Sequence, residues 1–403
     1  MHTLSPSPGT GISRGTPACK LKTHCCSACT SQAWLFRHLH SGFWFEGVFF
    51  HYSQFEYTSL TKGARVSTFG RTFAIEEITD QVLEKNPWFK DVLREWRPAG
   101  DALHRDMTEA HKLVSNGKTL EEDPKRLRLA IRNRYLNLYR GGQSVARVGF
   151  DRGGGLQAQI HNKYVHGDKG SGQSYVTLTS AGLRAQKTNR LQEYRGLADL
   201  HGWIASANDH VGKEKRFVDL VVARNCNIID LEMALPAYSH DPKQRNAPRM
   251  DLVALEKAGD RWRIVFWEAK LVDDARARCR GNDVSPKVVH QLKQYTDWLH
   301  QPNHSELVAS AYQNACCLLV KFHALAKRVN PEIENLGSGI IEAAKADAPL
   351  LLVDDKPRLL IDNRTENAAF TQNGHLQKLR GVPHNIHAQM VSGLGDMKLE
   401  KHL

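Results

Sequence analysis

Met250-Asp251-Leu252-Val253-Ala254-Leu255-Glu256-Lys257 is followed, after Ala258-Gly259-Asp260, by Arg261-Trp262-Arg263-Ile264-Val265-Phe266-Trp267-Glu268-Ala269-Lys270-Leu271. These are two β-rich runs joined by a short glycine-containing turn, the pattern of an antiparallel hairpin. If the turn centres near Gly259, Asp251 falls opposite Trp267 or Glu268, with roughly 5 Å between neighbouring strands. The two-residue period of a strand puts Glu268 and Lys270 on one face. The hairpin alone thus gathers two carboxylates and an ammonium at one end. The run Ile264 to Leu271 is apolar on both faces until that end, as in a central strand covered on both sides. Burying ions there is costly unless they are compensated. A divalent cation between the acids would compensate them, and an all-oxygen donor set suits Mg2+, with Mn2+ as its substitute, whereas zinc favours His or Cys.

Asp251 with the apolar Leu252-Val253-Ala254-Leu255, then Glu268-Ala269-Lys270, resembles the signature of the PD-(D/E)xK nucleases; Met250 stands where the family name has proline. The resemblance runs from Lys213 to Leu299. It implies an α/β fold with a restriction-endonuclease-like αβββαβ core, a central mixed sheet flanked by helices. It also implies a magnesium ion held by Asp251, Glu268 and the Ala269 carbonyl, with Lys270 orienting the attacking water and a 5′-phosphate as product. The family further asks for an acid on the helix before the first strand. Glu214 is the candidate, because it shares a helical stripe with Phe217, Val218 and Val221. Glu232, in the strand-like run Ile228 to Leu235, competes for that role against a plain reading as a solvent-facing strand residue. Beyond the hairpin, Ser285-Pro286 opens a helix carrying Gln291 and Tyr295 four apart, a Gln-x-x-x-Tyr spacing that resembles exonuclease-like branches of the family. There, such residues position the substrate phosphate or the catalytic lysine. Arg276, Arg278 and Arg280 in the intervening loop are placed to meet phosphates, or are ordinary surface arginines.

Working outward, Lys and Arg outnumber Asp and Glu by 55 to 43 over 403 residues, and the net charge of +12 favours a polyanionic partner. Nucleic acid fits, DNA in preference to RNA. No run of eighteen apolar residues exists, so a membrane span is not expected. The eight cysteines show no disulfide spacing, which suits a reducing, cytoplasmic setting. His24-Cys25-Cys26-Ser27-Ala28-Cys29 lacks a second ligand pair at finger spacing. Only two acids, Glu46 and Glu56, occur in the first 74 residues, a composition that marks a disordered or over-extended start.

Residues 75 to 180 read as a separate helical and small β module, α+β in character, that confers specificity or engages a protein partner. Within it Asp123-Pro124 opens an expected helix to Arg140, with Arg128 and Arg132 on a basic face that lies along phosphates or is simply solvated. Three β-like runs follow, Ser144 to Phe150, Leu156 to Val165 and Tyr175 to Leu178. Residues 185 to 365 form the nuclease-like domain, with a long helix over Glu306 to Val329 and a hairpin of Pro349 to Asp354 with Arg358 to Asp362. Residues 366 to 403 read as a tail. The sequence specifies no oligomeric state. The expected activity is metal-dependent hydrolysis of nucleic-acid phosphodiesters in a defence, mobile-element or repair setting; the alternative is a catalytically silent nucleic-acid-binding or scaffolding protein of the same fold.

Overall fold

Two sheets organise the chain, whose computed structural model describes residues 69–101, 126–166, 175–185, 191–236, 249–279 and 285–400. The cysteine cluster, nearly all of the acid-poor start, Asp123-Pro124 and Arg280 lie outside the described residues. All described residues belong to one unit, Arg65–Leu403.

The first sheet is an antiparallel meander in chain order: β1 (Arg128–Ile131), β2 (Tyr135–Arg140), β3 (Gln143–Phe150), β4 (Leu156–His161), β5 (Tyr175–Thr179), β6 (Gly182–Ala185) and β7 (Leu191–Gln192). Its turns are chemically specified. Gly141 and Gly142, between the paired Arg140 and Gln143, both take positive φ, as the favoured two-residue hairpin turn requires. Helices α1 (Asp80–Lys85), α2 (Pro87–Glu95), α3 (Asn162–His166) and α4 (Leu197–Asn208) accompany this sheet. Thr79 caps α1 by accepting from the Val82 amide, and Pro87 opens α2 at a position where a missing N–H does no harm. Because β7 extends the meander and α4 packs on β2 and β3, the first body continues past residue 180 to Asn208.

Within the described part of the helix expected over residues 124–140, from Arg126 on, the chain instead forms β1 and β2. Leu127, Leu129 and Ile131 recur every second residue among Arg126, Arg128, Ala130 and Arg132, and this two-residue spacing of the large apolar side chains overrides the helical reading of the basic residues. This also corrects the assignment of Arg128 and Arg132 to phosphate contacts. Both are buried, Arg128 on Asp101 and Asp219 and Arg132 on Asp230, so neither presents its charge to a ligand.

The second sheet runs β13 (Ala388–Val391), β12 (Arg358–Asp362), β10 (Arg261–Leu271), β9 (Arg249–Ala258), β8 (Ile228–Ala234), with β11 (Leu352–Val353) also on β10. Strands β8, β9 and β10 are antiparallel, whereas β11, β12 and β13 join in parallel. The sheet is therefore mixed. Residues 349–362 do not form a hairpin: β11 and β12 pair with successive parts of the same strand, β10. Nor is the end of the chain a tail. Helices α9 (Ala368–Gln372) and α10 (His375–Arg380) lead to β13, and Val391 and Met397 are fully buried.

Helix α5 (Lys213–Ala223) precedes β8; α6 (Lys287–Leu299), α7 (His304–Lys327) and α8 (Ser338–Ala343) follow β10. Alternation along the hairpin covers both faces. Leu252, Val265 and Trp267 join Phe217 and Val221 of α5 in one core cluster, while Val253, Ile264 and Phe266 join Tyr295 of α6 and Phe322 of α7 in the other. Among the described residues no helix is long and apolar enough to cross a membrane.

Candidate active site

The β9–β10 hairpin has the expected register: Trp267 pairs with Leu252, so the next pair along sets Glu268 across from Asp251. The Ala269 amide donates to Asp251 Oδ2 at 2.8 Å and fixes that carboxylate at the end of the ladder. On the other side, Leu231 pairs with Leu252 and Met233 with Met250, which sets Glu232 of β8 beside Asp251 as well. Glu232, Asp251 and Glu268 thus form one row of acids across three neighbouring strands. Like charges directly opposite each other are destabilising.

Two buried or half-buried ammonium groups offset that repulsion. Lys270, 1% exposed, donates to the Glu268 carboxylate and to the Ala269 carbonyl at 2.7 Å. Lys215, on the first turn of α5, lies 2.6 Å from Asp251 Oδ1 and 2.5 Å from Glu232 Oε1. Its neighbour Glu214 reaches the same site from above, 3.7 Å from Lys270 Nζ and 3.3 Å from Arg276 Nη2. Burial pushes the Glu214 and Glu232 carboxyls above the ordinary range, with the Asp251 charge adding to it. Glu268 is pushed up to about 8, first by burial and then by Asp251, against the pull of Lys270. Its Oε2 atom is buried with no hydrogen-bond partner.

The structure therefore brings Asp251, Glu268, Lys270 and Glu214 together. Gln291 and Tyr295 lie on α6 beside the row: the Gln291 amide donates to the Arg249 carbonyl at 3.2 Å and its side chain also acts on the Glu268 carboxyl, pulling its pKa down, whereas the Tyr295 hydroxyl donates to the Met233 carbonyl at 3.4 Å and braces β8. Lys270 bonds neither of them. Arg276 is held by Asp274 and Glu214, and Arg278 donates to the Val272 carbonyl at 3.2 and 3.3 Å, so this loop is pinned by its own arginines.

The sequence does not single out Lys215, and it leaves Glu232 between the acid role and a solvent-facing strand residue. Pairing of Leu231 with Leu252 and of Met233 with Met250 puts Glu232 in line with Asp251, but Glu232 itself takes φ +50° and Leu231 and Met233 fall in different core clusters, so the two-residue period of a strand does not reveal it. Lys215 carries no signal either, since its role depends on where α5 docks. The first sheet also closes on this point. A Cβ at Gly142, φ +73°, would lie 2.8 Å from Lys215 Cδ and 3.1 Å from Glu232 Oε1, so the β2–β3 turn rests on the Lys215 side chain only because glycine is there.

The donor set fits a hard divalent cation: it is all oxygen, from Asp251, Glu268, Glu232 and the Ala269 carbonyl, with Glu268 Oε2 unengaged. Among the described residues no three His, Cys, Asp or Glu side chains are yet gathered as a ready-made metal site. The carboxylates are instead closed around the two lysines, and a cation would take over that compensation. Comparison with family models, with curated proteins and with solved structures gave no match.

The raised Glu268 pKa carries a stability consequence. Between the ordinary value of 4.5 and about 8, the unfolded chain releases a proton that the folded protein retains. The proton thus stabilises the fold fully below 4.5, and the contribution is lost as pH rises towards 8. The loss is on the order of a few kcal/mol. In EDTA, the melting temperature of Glu268→Gln should gain several degrees on that of the unaltered protein between pH 5 and pH 8. A difference that stays flat with pH would show that Glu268 is ionised throughout.

Proposed function

We propose that this chain is a metal-dependent nuclease of the PD-(D/E)xK type that hydrolyses phosphodiester bonds in nucleic acid, with DNA preferred. The observation that carries the reading is the closure of Asp251, Glu268 and Lys270 into one buried cluster at the end of two central strands, where no packing role explains three charges. The element order agrees with a restriction-endonuclease-like core: α5, three antiparallel strands, α6, then β12 parallel to β10.

Asp251, Glu268 and the Ala269 carbonyl would hold the magnesium ion, which when bound supplies Lewis acidity at a phosphate oxygen and a water of lowered pKa. Lys270 donates hydrogen bonds that orient the attacking water and offset charge developing on the phosphate. Glu214, raised in pKa and 3.7 Å from Lys270, is placed to accept a proton. Glu232 and Lys215 set the potential around Asp251.

The test is incubation of linear, circular and single-stranded DNA and of RNA with magnesium or with EDTA, beside the Asp251→Ala protein. Cleavage that needs magnesium and disappears in the variant supports the reading and identifies the substrate. A second reading, a catalytically silent nucleic-acid-binding protein, is favoured by one observation: Lys215 and Lys270 already neutralise the acid row. Binding to nucleic acid without cleavage under every condition would select it.

A further inference from the structure

The seven strands of the first sheet contain no aspartate or glutamate. One face of this sheet is core, with Leu138, Val148, Ile160 and Val176 buried beneath α2 and α4. The other face is polar; it is buried at Asn137 and Tyr139 of β2 and becomes accessible across β3 to β6. Cross-strand register lines up Arg147 with Gln159, Gln159 with Thr177 and Thr177 with Arg184, a straight row over four strands. Gln159 and Arg184 are exposed, and Arg147 and Thr177 are half-buried.

Beside Arg147 stand two half-buried tyrosines, its guanidinium 5.9 Å from the Tyr135 ring centroid and 5.6 Å from that of Tyr175. Among the described residues no acid pairs with Arg147, and its Nε is buried without a hydrogen-bond partner. Elsewhere in the same sheet the arginines behave differently: Arg128 and Arg140 both meet Asp219. Arg147 is thus a guanidinium held by aromatic faces, with its charge left for something outside the sheet.

We infer that this face binds single-stranded nucleic acid. Positive charge without any acid on the strands complements a polyanion. Planar tyrosine and guanidinium groups stack on bases, while Gln and Thr side chains hydrogen-bond to base edges or phosphates. A duplex hides its base faces, so stacking selects the unpaired strand. A sheet surface of this width accepts about two or three bases. The face belongs to the body whose β2–β3 turn touches Lys215 of the candidate active site. The inference does not rest on cleavage, because binding is measurable where no cleavage occurs.

The experiment is fluorescence anisotropy of the full chain in EDTA with a labelled oligothymidylate of about twelve nucleotides and with a duplex of equal length, at several salt concentrations. The unaltered protein should prefer the single strand. Tyr175→Ala should weaken that binding about tenfold. Arg147→Gln with Arg184→Gln should weaken it similarly and flatten the salt dependence by about 1.4 in slope, about 0.7 for each lost phosphate contact. Gln159→Glu, at an exposed position where folding is not at risk, should weaken it as well. The inference is overturned if the three variants stay within twofold of the unaltered protein, if the duplex binds as tightly as the single strand, or if no binding is seen. Each of these outcomes leaves the magnesium-dependent cleavage test untouched.

Discussion

Lys270→Met is expected to lower phosphodiester cleavage about a thousandfold, the scale on which a buried positioning and charge-stabilising group acts. The ammonium is 1% exposed and has two fixed acceptors, the Glu268 carboxylate and the Ala269 carbonyl at 2.7 Å. It cannot swing away and be replaced by water. Methionine keeps most of the volume and removes the donors and the charge. The fold should persist, because below pH 8 the Glu268 carboxyl can keep its proton once its partner is gone. Circular dichroism and a melt in EDTA check that point. Binding to oligonucleotide in EDTA should remain within twofold, since the polar face of the first sheet is elsewhere. Rates of plasmid nicking with magnesium decide the matter: cleavage by the variant at more than a tenth of the normal rate removes Lys270 from the mechanism.

That assignment was reachable from the sequence because every group in it sits on one hairpin. The register follows from the position of Gly259, and the strand period then aligns Asp251 with Glu268 and puts Lys270 on the same face. Long-range placement was not needed. Where it was needed, the reading weakened. Leu127, Leu129 and Ile131 recur with period two, but the arginines between them also fit one face of a helix, because sequence alone does not reveal that Asp101, Asp219 and Asp230 wait to neutralise them. Lys215 is invisible for the same reason, since its partners Asp251 and Glu232 come from two strands that it meets only after α5 docks. The two-strand reading of residues 349–362 was right in content but wrong in pairing, because local pattern marks a strand without naming its neighbour.

A common principle links these cases. The chain repeatedly buries charge at the junctions between elements, and each such site is either a mutual ion pair or part of the acid row. Asp101, Asp219 and Asp230 are compensated by arginines, whereas in the acid row the compensation comes from lysines. Arginine forks hold several acceptors in fixed geometry, which suits a permanent joint. Lysine is a point charge on a flexible stem, which suits a place where a cation or substrate must be admitted.

Asp230→Asn tests the permanent joint and should produce the largest loss of stability of any single substitution considered. Asp230 sits on β8, fully buried, and accepts from Arg71 Nε at 3.1 Å and Nη2 at 2.9 Å, from Arg132, from the Tyr312 hydroxyl at 2.8 Å and from its neighbouring Leu231 amide at 2.7 Å. Burial alone would raise its pKa, but Arg132 and Arg71 outweigh that and hold it below the usual carboxylate range. Asparagine has the same shape, yet its amide nitrogen cannot accept, and two guanidinium groups lose their counter-charge while remaining buried. Breaking a buried ion pair in this way costs about 3–5 kcal/mol, and here two pairs share one carboxylate. With total stabilities of about 5–15 kcal/mol the variant should keep little margin. Since Arg71 enters from the segment before α1, Arg132 from the first sheet and Tyr312 from α7, their common loss should also loosen the first sheet from β8. Urea unfolding followed by tryptophan fluorescence should therefore show a lower midpoint and a transition that broadens or splits. A midpoint and slope equal to those of the unaltered protein would mean that the two sheets are held together by apolar packing alone, and that the Asp230 cluster merely satisfies charges the fold could do without.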